Sequence, residues 1–215
     1  MPWACTNISS EGVIDMDAQV QARDNGGPDF RLPTLVRSIM AENRAMLLRR
    51  WRLAKNGLLD SKLITRWFPE QKPLLDILGA TEEEEQVVRM ADCTTALFTV
   101  TLPPLTPGVF TLPHTASELE KANADEIFMA LLVRVNGLHL STQQAIVDFC
   151  LSHREANRMG RFGPHELRAL ACDPMMHTYP IAADAYFIAA ATKDMTQAER
   201  TVLATVSRRA RPSIR

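Results

Sequence analysis

Residues 35–57 read LVRSIMAENRAMLLRRWRLAKNG, and the periodicity of this run decides the fold class. On a helical wheel, Leu35, Val36, Ile39, Met40, Met46, Leu47, Trp51, Leu53 and Ala54 share one broad face. Arg37, Arg44, Arg49 and Arg52 fall outside that face. Asn43 and Arg50 fall inside it, two helical turns apart. A buried asparagine is costly unless it is paired, but it fixes the register of what packs against it. Pro33 suits the first helical turn, and Asn56-Gly57 is a helix stop. The run is therefore an assembly helix first. Arg49 and Arg52 are left as outward candidates for phosphate contact.

Working outward, Asp60 or Ser61 caps a short helix that runs through Phe68 to Pro69, and Pro73 and Gly79 bracket another. Thr81 with Glu84 has capping-box spacing, and Glu85 reaches Arg89 at i,i+4. TALFTVTL (95–102) has the β-branched and aromatic content of a strand, and VFTL (109–112) is its expected return after PPLTPG. Pro103 and Pro104 would confine that ribbon to an edge or an exterior hairpin. A helix is expected from Ser117 to Val135, broken near Asn123 and stopped at Asn136-Gly137. Ser141 with Gln144 opens the next, to about Asn157. Pro164 opens a short helix to about Cys172, an alanine-rich one covers 181–191, and Thr196 with Glu199 caps the last.

The expected fold is mainly α: a multi-helix regulator with one short β-ribbon in the middle and an added C-terminal helical region. Residues 1–32 read as a loose arm, 33–137 as the main helical domain, and 138–215 as the extension. The chain has 215 residues, 46% hydrophobic and 23% charged, with net charge −1. No global basic field recruits nucleic acid, so any such binding rests on local patches or a partner. Four cysteines without a CxxC pair, no secretory signal and no apolar run of bilayer length lead to the expectation of a cytoplasmic protein.

No P-loop, GxGxxG, GxSxG or HExxH is present. Cys150, His153, His165, Cys172 and His177 lie in one stretch, but only Cys150 and His153 are tightly spaced, so no metal site, cofactor or catalytic residue is expected. STQQAIVDFCLSHREANRMG starts like a helix-turn-helix. It fails at Phe149, where the turn favours glycine, and at Glu155, which the second helix would have to bury. Arg154, Arg158 and Arg161 cluster around a loop with Arg168, and more arginines form the tail. Arg49, Arg52, Arg154, Arg158 and Arg161 are thus the candidate contacts to a DNA backbone.

The spacing Ile39-x3-Asn43-x3-Leu47-Leu48-x3-Arg52-Leu53 resembles the N-terminal helix of FlhD, one subunit of the FlhD–FlhC transcriptional activator of flagellar genes. The resemblance continues through LLDILG and VVRMADCTTALFTVTL (87–102) and covers about residues 35–135. It implies a dimerising regulator that acts with an FlhC-like partner on promoter DNA, with RNA polymerase as a further partner and no membrane. The FlhC-like subunit would carry the zinc and much of the DNA contact. Related pairs switch on conjugative-transfer genes. Ile39, Asn43, Leu47, Leu48 and Leu53 would then build the dimer or partner core. Phe98 stands where the family often has the cysteine linking two subunits, so a covalent dimer is not implied. The competing expectation is a helical adaptor or chaperone that binds only protein in a secretion or transfer apparatus, its arginines meeting acidic partner surfaces.

Overall fold

A computed structural model describes residues 34–103 and 110–209 of the chain. It is mainly α, with one two-stranded antiparallel sheet. Helix α1 spans Thr34–Lys55 without a break. Its end is a left-handed turn: Gly57 has φ +61°, and the Leu58 N–H donates back to the Leu53 carbonyl. Three short helices follow: α2 (Ser61–Trp67), α3 (Lys72–Ala80) and α4 (Glu84–Ala91). Asp60 caps α2 through the Leu63 N–H at 2.7 Å. Pro73 lies in the first turn of α3.

The expected capping box at Thr81 and Glu84 does not form. Thr81 ends α3 instead, with its hydroxyl donating to the Ile77 carbonyl. Its own carbonyl accepts the Trp51 indole N–H, and Glu83 takes the cap position of α4. The spacing was right for a box, but Thr81 is drawn back by the preceding helix and by α1.

Strand β1 (Phe98–Val100) pairs with β2 (Thr178–Pro180), in the register Phe98↔Pro180, Thr99↔Tyr179 and Val100↔Thr178. The return strand is therefore not 109–112. Residues 110–112 have no strand pairing, and Val109 lies outside the described residues. Nor is β1 on an exterior hairpin. Residues 95–102 are buried throughout, the mark of a strand covered on both faces. Pro103 follows its end and breaks no ladder bond.

Helix α5 spans Glu118–Leu140. Ser117 and Glu120 form a full capping box at its start. It is neither broken near Asn123 nor stopped at Gly137. Gly137 is there for proximity: a Cβ would stand 2.9 Å from Phe149 Cε2 and 3.2 Å from Leu35 Cδ1. The next expected helix is two, α6 (Thr142–Asp148) and α7 (His153–Met159). Cys150 between them has φ +52°, and Ser152 with Glu155 caps α7 anew. Helices α8 (Pro164–Ala171), α9 (Asp184–Thr192) and α10 (Gln197–Val206) complete the described elements, and Thr196 with Glu199 boxes α10 as expected.

Helix α1 packs on α3 and α4 on one side and on α5 on another. Helix α9 covers α3 and α4, while α6 and α8 pack on α5. One core joins Ile39, Leu47, Phe98, Leu131, Phe149, Tyr186 and Phe187. The segment from 138 onward, expected as an added region, shares that core and supplies β2. The described residues form one compact unit. The arm expected over 1–32 lies outside the described residues, as does the tail beyond Arg209.

Candidate functional site

The two polar residues on the apolar face of α1 explain what the core is built around. Asn43 is buried. Its Nδ2 donates to the carbonyls of Thr95 (2.9 Å) and Cys93 (3.3 Å), and its Oδ1 accepts the Leu97 N–H at 2.9 Å. It thus satisfies the backbone that leads into β1. Arg134, fully buried on α5, does the same further on, with Nη2 donating to the Phe98 carbonyl at 2.8 Å. Polar side chains therefore pair the backbone of a buried strand that would otherwise be left unsatisfied.

Arg50 is also fully buried. It forks onto Glu126, with Nη2–Oε1 at 2.9 Å and Nη1–Oε2 at 3.1 Å. Nε donates to Gln71 Oε1 at 2.7 Å and Nη2 to Thr178 Oγ1 at 2.7 Å. The guanidinium carbon also stands 4.6 Å from the Phe98 ring centre and 5.1 Å from that of Phe68. Arg49 Nη1 reaches the same carboxylate at 2.9 Å. Burial works against a charged Glu126, but Arg50 and Arg49 outweigh it and hold its pKa below the ordinary value. Glu42 accepts from Arg134 Nη1 at 2.7 Å. Here burial wins over the arginine and pushes the carboxyl pKa up.

These groups lie beneath a groove of about 470 Å³ between α1 and α5. Ala41, Ala45 and Met46 form one wall, and Ala122, Met129 and Val133 the other; Glu42, Glu126 and Arg49 supply polar atoms. Met129 is 57% exposed at the lip. Glu42 Oε2 and Arg49 Nη2 are buried atoms with no hydrogen-bond partner among the described residues.

The expected DNA-contact residues divide. Arg49 is committed to Glu126 and is mostly buried, so it is not an outward group. Arg52 is exposed and pairs loosely with Glu84 at 3.4 Å. Arg158 is partly buried and donates to the Pro103 carbonyl. Arg154 and Arg161 are exposed on and beside α7. The expected dimer residues divide too. Ile39, Asn43 and Leu47 are buried in this chain's own core, while Leu48 and Leu53 are half-buried. The physical reason is that β1 and α3–α5 fold back onto the α1 face that the wheel left open for a partner.

Glu126, Arg134 and Gln71 were not singled out from the sequence. Arg134 was findable, because it interrupts the apolar run MALLVRV (129–135) as Arg50 interrupts α1. Gln71 and Glu126 carry no local signal. Among the described residues no three His, Cys, Asp or Glu side chains gather as a metal site. No described helix is long and apolar enough to cross a membrane. No family model, curated protein or solved structure matches the chain.

Proposed function

We propose that this protein is a regulatory subunit that works by binding, as its resemblance to FlhD implies: one half of a heteromeric transcriptional activator that acts with an FlhC-like partner in the cytoplasm. The observation that carries this reading is where its arginines go. Arg49, Arg50, Arg66, Arg134, Arg168, Arg200 and Arg209 each pair with an acid of the same chain. Those seven are therefore held by the chain's own acids and not free to follow a phosphate backbone, and DNA affinity depends on such contacts. A subunit of this kind needs a partner to supply the rest of the DNA surface. Arg52, Arg154 and Arg161 remain the side chains suited to a supporting role, with Arg158 beside them. Such contacts set position and not sequence.

Co-expression with an FlhC-like protein, followed by gel shift on flagellar or transfer promoter DNA, tests this. The expected result is a salt-sensitive shift by the pair and none by either subunit alone at the same concentration. Reversing charge at Arg154 and Arg161 should weaken the shift alike on all sequences. DNA binding by this chain alone, unaltered by the partner, overturns the reading. The same internal pairing of arginines also suits an adaptor that binds only protein. A stable pair with no affinity for any DNA would favour that reading.

A further inference from the structure

Helix α10 is held to the rest of the molecule mainly by polar contacts. Of its ten residues only Arg200 and Ala204 are buried. Leu203 adds a half-buried contact to the core, while Val202 and Val206 are 61% and 74% exposed. The anchor is Asp92, which follows α4. Its carboxylate accepts from Arg200 Nη2 and from Gln197 Nε2, both at 2.6 Å, and its carbonyl accepts from Arg200 Nε at 2.9 Å. Thr201 Oγ1 accepts the Thr94 N–H at 3.1 Å. Beyond the helix, residues 207–209 run beside 181–183. The Ala183 N–H donates to the Ser207 carbonyl at 3.1 Å, and the Arg209 N–H to the Ile181 carbonyl at 2.7 Å. The Ile181 N–H faces the other way and donates to the Leu97 carbonyl at 2.9 Å. Segments with few buried apolar contacts open at a free energy well below that of global unfolding.

We propose that α10 with residues 207–209 is a strap that lifts from the body and re-seats as one unit while the rest stays folded, with Asp92 as its catch. Gln197, Arg200, Thr201 and Ala204 fall at i, i+3, i+4 and i+7. One face of the helix therefore carries these contacts, and they part together. Lifting also frees the Ala183 N–H and the Ile181 carbonyl, so the seated strap is what covers that edge of 181–183. Whatever binds the lifted form better than the seated one shifts the balance toward it. The inference does not depend on the DNA reading.

The test is native-state hydrogen exchange on the full chain, resolved by residue and repeated in low concentrations of urea. Two amides of the body report the strap directly, because Thr94 and Ala183 donate to it. Ile181, two residues from Ala183, donates to Leu97 and is the internal control. Thr94 and Ala183 should share one protection factor with the helical amides of α10. Ile181 should stay with the amides of α1 and α5, roughly a hundredfold or more better protected, which is a difference of about 2.8 kcal/mol. The urea slope for the strap group should be less than half that of the slow group, since the slope follows the surface exposed. Asp92→Ala should lower the strap group's protection roughly ten- to hundredfold, the range for charge-assisted hydrogen bonds. Exchange of Thr94, Ala183 and α10 in the slow group with Ile181 overturns the inference, because α10 is then an integral part of the core. A tenfold or larger gap between α10 and either Thr94 or Ala183 overturns it too, since the helix would then fray in place. So does a folded Asp92→Ala with unchanged protection; if that variant does not fold, the exchange pattern of the unaltered chain decides.

Discussion

Replacing Glu126 by glutamine keeps the shape of the side chain and removes the one negative charge shared by Arg49 and Arg50. Arg50 is fully buried, and three of its hydrogen-bond partners, Gln71, Thr178 and the Met46 carbonyl, are neutral. A guanidinium does not deprotonate in a protein. Its charge therefore stays in the core without a counter-ion, a change that costs about 3–5 kcal/mol when a buried pair is broken. Against a typical total of about 5–15 kcal/mol this is severe. With a urea slope of about 2 kcal/mol/M, a loss of about 4 kcal/mol moves the unfolding midpoint down by about 2 M. Trp51 is anchored to Thr81 through its indole N–H, and its fluorescence reports the transition. Asp76→Asn, in the exposed Lys72–Asp76 pair, is the control and should shift stability by about 0.5 kcal/mol or less. Replacing both partners, Arg50→Met with Glu126→Leu, should recover much of the loss, because no uncompensated charge remains at that pair. The pH dependence has a defined sign. Glu126 has a depressed pKa in the folded chain, so its contribution is complete above the unfolded value of about 4.3 and is lost as pH falls toward the folded value. Glu126→Gln should flatten that part of the acid limb. A midpoint shift no larger than that of the control would refute the reasoning, since it would mean that water reaches Arg50.

Asn43→Ala should cost about 3 kcal/mol in chemical denaturation, because it strands the Leu97 N–H beside β1 along with two carbonyls; a loss below about 1 kcal/mol would count against this role. Gly137→Ala should lower stability by about 1–2 kcal/mol despite the better helix propensity of alanine, since its Cβ meets the buried Phe149 ring. Adding Phe149→Leu should return part of that loss, and a stabilised single variant would contradict the close approach. Among Cys93, Cys150 and Cys172, the thiol of Cys93 should react last with an aromatic disulfide reagent on the native chain. Burial pushes its pKa up and closes access, whereas the other two are partly exposed. Rapid modification of Cys93 without unfolding would show otherwise.

What could be read from the sequence was what is local. The α1 face, the Asp60 cap, Pro73 and Pro164 in first turns, and the Thr196 box depend on neighbours within four residues, and each took its expected place. Thr81 shows the limit of that reasoning, because two competing partners took its hydroxyl and carbonyl away from the expected box. The ribbon was assigned the wrong return strand because TYP (178–180) is too short to stand out and follows β1 by some eighty residues. Gly137 had the signature of a stop, but tertiary crowding by Phe149 and Leu35 accounts for it instead. For the candidate site, Asn43 and Arg50 were visible as polar intrusions on an apolar wheel. Their partners were not, since Glu126 and Thr178 lie 76 and 128 residues away and a wheel compares only positions on one helix.

The pairing of β1 with β2 also orders events in time. A chain emerging from the ribosome presents α1, Gln71 and β1 well before Thr178 exists to meet them. Until then β1 lacks a strand neighbour, and the Arg50 fork is short of one acceptor. Contacts of such long sequence separation form slowly, and the waiting strand edge is open to the wrong partner. Translation that stops between Val100 and Thr178 would therefore leave an adhesive fragment rather than a smaller working protein. Arrival of β2 is the step that closes the edge of β1 and completes the Arg50 fork.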